Sequence, residues 1–81
     1  MKKEEIIDVI GKALEEVAPG KVDVSQALPL DVSIRSLGID SVASMEMVGV
    51  VEEEVGAAFP DADLQKVNTL GDLVRLVEAN V

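Results

Sequence analysis

The sequence predicts an all-α fold: a small four-helix bundle with three main helices, one short helix and a long loop between helices 1 and 2. Three observations lead there. Apolar residues recur every three or four positions in three separate stretches. The one segment with strand-like alternation, Lys21–Ser25, has no second segment to pair with, and an unpaired strand is not stable. The 81 residues suffice for one modest core, so a single domain over 1–81 is expected.

The first helix is predicted over residues 4–17, EEIIDVIGKALEEV, where Ile6, Ile10, Leu14 and Val17 share a face. Glu4 and Glu5 lie near its positive end, where carboxylates are favoured. Gly11 weakens it locally, and Pro19-Gly20 stops it. Residues 21–36 show no long period and read as an ordered loop, with Leu28, Leu30 and Ile34 tucked against the helices. A loop of that length in a small domain points to function. A short helical turn is expected near Ser33 to Leu37.

The second helix is predicted over 41–55, SVASMEMVGVVEEEV. On a helical wheel Met45, Val48, Val51 and Val55 form the inward face, with Met47 at its border. Glu46 and Glu53 point together on another face, near Val42 and Gly49. Gly56 is the expected terminator. A brief helix within 61–67 would turn Leu64 and Val67 inward. Thr69 is a good cap for the last helix, with Asp72 three residues on as a variant capping box. Leu70, Leu73, Val74 and Val77 face the core.

Composition narrows the function. The chain has no cysteine, which excludes disulfides and thiolate metal sites, and no histidine, the commonest general base near neutral pH. Phe59 is the only aromatic residue, so a stacking pocket for a flat ligand is not expected. Sixteen acidic residues against seven basic give a net charge of -9, which disfavours nucleic acid and suits a basic protein surface. No stretch approaches the roughly 20 apolar residues of a membrane span. The N-terminus lacks the apolar run of a signal peptide. A cytoplasmic monomer is expected.

The remaining question is Ser41, just after Asp40 at the start of the second helix. Either residue is an ordinary N-cap. As a nucleophile Ser41 lacks a histidine base and a recognisable oxyanion hole. As a phosphate acceptor it is better placed, because the first-turn N–H groups and the helix dipole favour an anion there. Gly38 would let the chain turn, Ile39 would anchor it, and Asp40 would serve as a cap or as a contact for a modifying enzyme and its metal ion. From Ser36 to Gln65 there is no Lys or Arg, while Asp40, Glu46, Glu52, Glu53, Glu54, Asp61 and Asp63 all fall in that span. Such a single-sign surface suits steering toward basic partners.

Two stretches resemble the acyl carrier protein family. LGIDSV, Leu37 to Val42, is similar to its leucine-glycine-variable-aspartate-serine-leucine signature, with Val42 in place of the last leucine. Val51 to Glu78 resembles its glutamate-rich helix end, proline-aspartate turn and threonine-variable-glycine-aspartate-leucine start of the last helix. The likeness covers nearly the whole chain. It implies that Ser41 carries 4'-phosphopantetheine, installed from coenzyme A by a phosphopantetheinyl transferase. Acyl groups would ride on the arm's thiol as thioesters to partner enzymes of fatty-acid or related acyl-chain biosynthesis. The chain itself would not be an enzyme and would bind no metal. Basic partner surfaces would meet Asp40, Glu46, Glu52 and Glu53. Met45, Val48, Val51, Leu70 and Val74 would be candidate lining for a sheltered acyl chain.

The chain departs from the fatty-acid carriers at Ala43, where they have an acidic residue, and at Gly49, where they often expose a methionine. Arg35 and Ser36 stand where glutamate-aspartate is frequent. A specialised carrier for a polyketide, amino-acyl or unusual lipid pathway therefore competes with the fatty-acid role. An unmodified acidic helical adaptor is the third possibility.

Overall fold

Apolar stripes on three long helices need a shared interior, and the computed structural model, which describes residues 1–81, supplies one. Its elements are α1 (Lys3–Val17), α2 (Ser41–Val55), α3 (Asp61–Leu64) and α4 (Leu70–Asn80), with one turn of 3-10 helix at Arg35–Leu37. The fold is all-α, with three long helices and one short one. There is no sheet, only an isolated antiparallel bridge between Ser33 and Thr69. No helix is long and apolar enough to cross a membrane.

The periodicity of α1 and α4 carries straight into packing. Ile6, Ile10 and Leu14 of α1 are buried against Leu70, Leu73, Val74 and Val77 of α4, and Val17 is half-buried at the edge. Each fully buried side chain of this size contributes roughly 1.5–3 kcal/mol. Both helices are capped by carboxylates. Glu5 Oε1 accepts from the Lys2 N–H at 3.0 Å. At α4 the capping box is complete: Asp72 N–H donates to Thr69 Oγ1, and Asp72 Oδ2 accepts from Thr69 N–H, each at 3.0 Å. Asp72 also accepts from Asn68 N–H and pairs with Arg75. The Asn68 and Thr69 N–H groups hold its carboxyl down at about 2, from an ordinary 3.8.

The helix α2 turns differently from the wheel reading. Met47, Val48 and Val51 are buried, whereas Met45 is 60% exposed and Val55 is half-buried. The rotation of α2 has a physical cause. Val42, Met45 and Val50 put apolar side chains outside the inward sector as well, so the pattern alone leaves the helix free to rotate. Packing on α1 selects the face centred on Val51 and turned toward Met47. The brief helix expected within 61–67 is a single turn, Asp61–Leu64, and Leu64 and Val67 are half-buried against the core.

The first loop is stapled to the start of α4. Leu30 O accepts from Gly71 N–H at 2.9 Å, and Ile34 N–H donates to Asn68 O at 2.8 Å. The approach is close enough that a Cβ on Gly71 would stand 2.9 Å from Leu30 O. Ile34 is buried, and Leu28 and Leu30 are half-buried, as the loop reading expected. The fixed loop in turn fixes the turn that leads into α2.

Candidate functional site

The turn before α2 is built by a short hydrogen-bonded ladder. Leu37 N–H donates to Ile34 O at 3.1 Å, and Gly38 N–H donates to Arg35 O at 3.0 Å. Gly38 then takes φ 83°, a left-handed conformation that glycine adopts without strain. The Lys21 side chain lies across it, with Nζ 3.5 Å from where a Gly38 Cβ would be. Ile39 follows and is buried, pinning the turn to the core.

Asp40 is the cap of α2: its Oδ1 accepts from Ala43 N–H at 2.8 Å, and its backbone carbonyl accepts from Ser44 N–H at 2.9 Å. Ser41 is the first residue of the helix and is exposed. The two residues that sequence left interchangeable thus have separate places. Asp40 caps, and the Ser41 hydroxyl is not needed for that task.

Ser41 stands on the wall of a groove of about 420 Å³ between the first loop, α2 and the 64–68 segment. Ile34, Ile39, Met47, Val48 and Leu73 give it an apolar floor. Ser33, Arg35, Ser44, Gln65 and Asn68 supply polar edges. Of the candidate lining residues, Met45 and Val48 belong to the groove. Val51, Leu70 and Val74 do not line it and are buried core. Ile39 and Val67, from turns, and Leu64, at the end of the single-turn α3, were missed as lining because helical periodicity gives no direction over such short pieces.

The outer face of α2 carries Val42, 69% exposed, with Met45, Glu46, Gly49 and Glu53, all exposed. Glu52, grouped with these by charge, turns inward: its Oε2 accepts from Phe59 N–H at 2.7 Å and ties down the chain after α2. Gly56, at φ 69°, ends the helix as expected. The exposed carboxylates running from the cap of α2 along its outer face are therefore Asp40, Glu46 and Glu53, with Glu52 partly committed to the fold.

A residue that can take a phosphodiester needs an exposed hydroxyl and room beside it, and Ser41 has both. Comparison with known proteins agrees with this chemistry. Residues 3–77 match the family described as "Phosphopantetheine attachment site". The acyl carrier protein homolog of Ureaplasma parvum is 37% identical over 49 residues, 60% of this chain and 64% of that protein. The acyl carrier proteins of two Helicobacter pylori strains, G27 and HPAG1, are each 34% identical over 59 residues, 73% of this chain and 76% of theirs. The chain thus spans just under two thirds of the Ureaplasma relative and about three quarters of the Helicobacter ones. It belongs to the phosphopantetheine-attachment family, the acyl-carrier class. Members of that class bear a phosphopantetheine arm on a serine and are carriers rather than enzymes.

Proposed function

We propose that Ser41 is the attachment serine. The chain, one domain over 1–81, then carries acyl groups as thioesters and delivers them to partner enzymes of fatty-acid or related acyl-chain biosynthesis. It does so as a cytoplasmic monomer. One observation carries the reading: Asp40 does the capping, leaving an exposed Ser41 hydroxyl on the wall of an apolar-floored groove.

The chemistry divides between two proteins. Ser41 Oγ forms the bond to phosphorus, the pyrophosphate P–O bond of coenzyme A breaks, and 3',5'-adenosine bisphosphate leaves with the electron pair. The hydroxyl proton goes to a base of the phosphopantetheinyl transferase, since this chain has no histidine and Asp40 Oδ1 is held by Ala43 N–H. The bound arm supplies the terminal thiol that holds the acyl group. The protein's own residues orient and screen. The turn fixed by Ile39 and Gly38 aims the attachment point, the groove floor offers apolar cover, and Asp40, Glu46 and Glu53 attract basic partner surfaces.

A specialised polyketide, amino-acyl or unusual-lipid carrier is the second reading. It is favoured by α2, where half-buried Ala43 and exposed Gly49 stand at the positions that depart from the fatty-acid carriers. Incubation with coenzyme A, magnesium and a broad-specificity transferase tests the carrier reading. The expected result is a mass gain of one phosphopantetheine. A folded, initially unmodified sample that gains nothing, while a known carrier is loaded in parallel, would favour an unmodified acidic adaptor. Rates of acyl exchange with fatty-acid elongation enzymes then separate the two carrier roles.

A further inference from the structure

Basic side chains meet the acidic stretch at its edge, at the turn into Ser41. No Lys or Arg occurs from Ser36 to Gln65. Yet Arg35, immediately before that span, lines the same groove as Ser41. Arg35 is exposed, and it takes part in neither of the fold's ion pairs, which are Lys12–Glu54 and Asp72–Arg75. Five of the seven basic residues make no ion pair, and of these Arg35 is the one that lines the groove with Ser41. A second cation converges on the same turn, for the Lys21 side chain lies across Gly38. Both side chains extend from hydrogen-bonded backbone. The Arg35 backbone carbonyl accepts from Gly38 N–H, and Lys21 N–H donates to Ala18 O at 3.2 Å.

We propose that Arg35, backed by Lys21, is the electrostatic partner of the phosphodiester formed on Ser41 and holds the first part of the arm along the groove. The inference rests on Ser41 being the attachment residue. The chemistry fits: a planar guanidinium with five donors matches a phosphate's oxygens better than an ammonium does. A phosphodiester adds a negative charge next to Asp40, and a cation on the same groove offsets that repulsion. Arg35 and Lys21 are positioning residues and take no part in bond making. Their contribution is that of an exposed ion pair, which corresponds to roughly a two- to fivefold bias between held and free arm.

The test uses the loaded full chain. Wild type, Arg35→Gln, Arg35→Lys, Lys21→Gln and, as a remote control, Lys3→Gln are each loaded from coenzyme A. Intact mass and peptide mapping first establish one adduct on Ser41; absence of the adduct would defeat the Ser41 reading itself and is thereby distinguished from failure of this one. Phosphorus NMR of the loaded proteins is then followed from low to high salt, with the Arg35 Nε resonance compared between unloaded and loaded wild type. The expected result is a salt-sensitive phosphorus shift in wild type and a displaced Arg35 resonance on loading. Arg35→Gln loses at least half of the salt-sensitive shift, Arg35→Lys and Lys21→Gln lose less, and Lys3→Gln loses none. Equal shifts and salt responses in wild type and Arg35→Gln would overturn the proposal. So would a loss in Lys3→Gln or Lys21→Gln as large as that in Arg35→Gln.

Discussion

Replacing Gly71 with alanine and Gly49 with alanine should move stability in opposite directions, although both are glycines inside long helices. At Gly71 the new Cβ would stand 2.9 Å from Leu30 O, the carbonyl that the Gly71 N–H itself holds at 2.9 Å. Neither atom can retreat without loosening the staple between the first loop and α4. Overpacking of this kind costs about 1–3 kcal/mol. Loss of the hydrogen bond adds about 1 kcal/mol, and the better helix propensity of alanine returns about 1 kcal/mol. The net expectation is a destabilisation of about 1–3 kcal/mol. At Gly49 a Cβ meets nothing within 4 Å, so only the propensity gain of about 1 kcal/mol remains. Urea unfolding followed by far-UV circular dichroism reads both. With a slope of about 1 kcal/mol per molar, the midpoint falls roughly 1–3 M for Gly71→Ala and rises by about 1 M for Gly49→Ala. A Gly71→Ala midpoint at or above wild type would refute the close-approach argument, as would a fall in Gly49→Ala matching that of Gly71→Ala.

Asp40→Ala should cost about 1 kcal/mol in the same assay through loss of the α2 cap, whereas Ser41→Ala should stay within about 0.5 kcal/mol of wild type while abolishing loading. Glu52→Gln should cost about 1–2 kcal/mol, because Phe59 N–H loses a charged acceptor, and Glu53→Gln should change the thermal midpoint very little. Asp72 gives a pH signature. Its carboxyl stands at about 2 in the fold against an ordinary 3.8, so ionised Asp72 stabilises the native state above that ordinary value, and the contribution is lost as pH falls through about 2. The stability difference between wild type and Asp72→Asn should therefore be constant from neutral pH to about 5 and shrink below 4, checked by urea midpoints across that range.

Local signals made most of the fold legible. Ile6, Ile10 and Leu14, and likewise Leu70, Leu73, Val74 and Val77, have a single unambiguous face, and Thr69 with Asp72 announces the start of α4. The rotation of α2 was not legible, because valines and methionines occupy most of its circumference and only contact with α1 separates Met47 from Met45. The role of Gly71 was hidden for a related reason. Its neighbour Leu30 is about forty residues away in the chain, and no local pattern encodes that approach. At the site, the candidate serine was legible from Leu37 to Val42. The division of labour between Asp40 and Ser41 was not, since either residue type makes an acceptable cap. Glu52 shows the limit of reading charge alone: it belongs to an acidic run, yet one of its oxygens is committed to Phe59 N–H.

The most direct test of the account is the position of the phosphopantetheine adduct. The chain has five serines, and Ser33, Ser41 and Ser44 all line the same groove. Tryptic cleavage separates the Ser36–Lys66 peptide from the one holding Ser25 and Ser33, and fragmentation within the first resolves Ser36, Ser41 and Ser44. Attachment at Ser41 requires a single adduct there and none in Ser41→Ala. An adduct on Ser33 or Ser44, or loading that survives in Ser41→Ala, would contradict it.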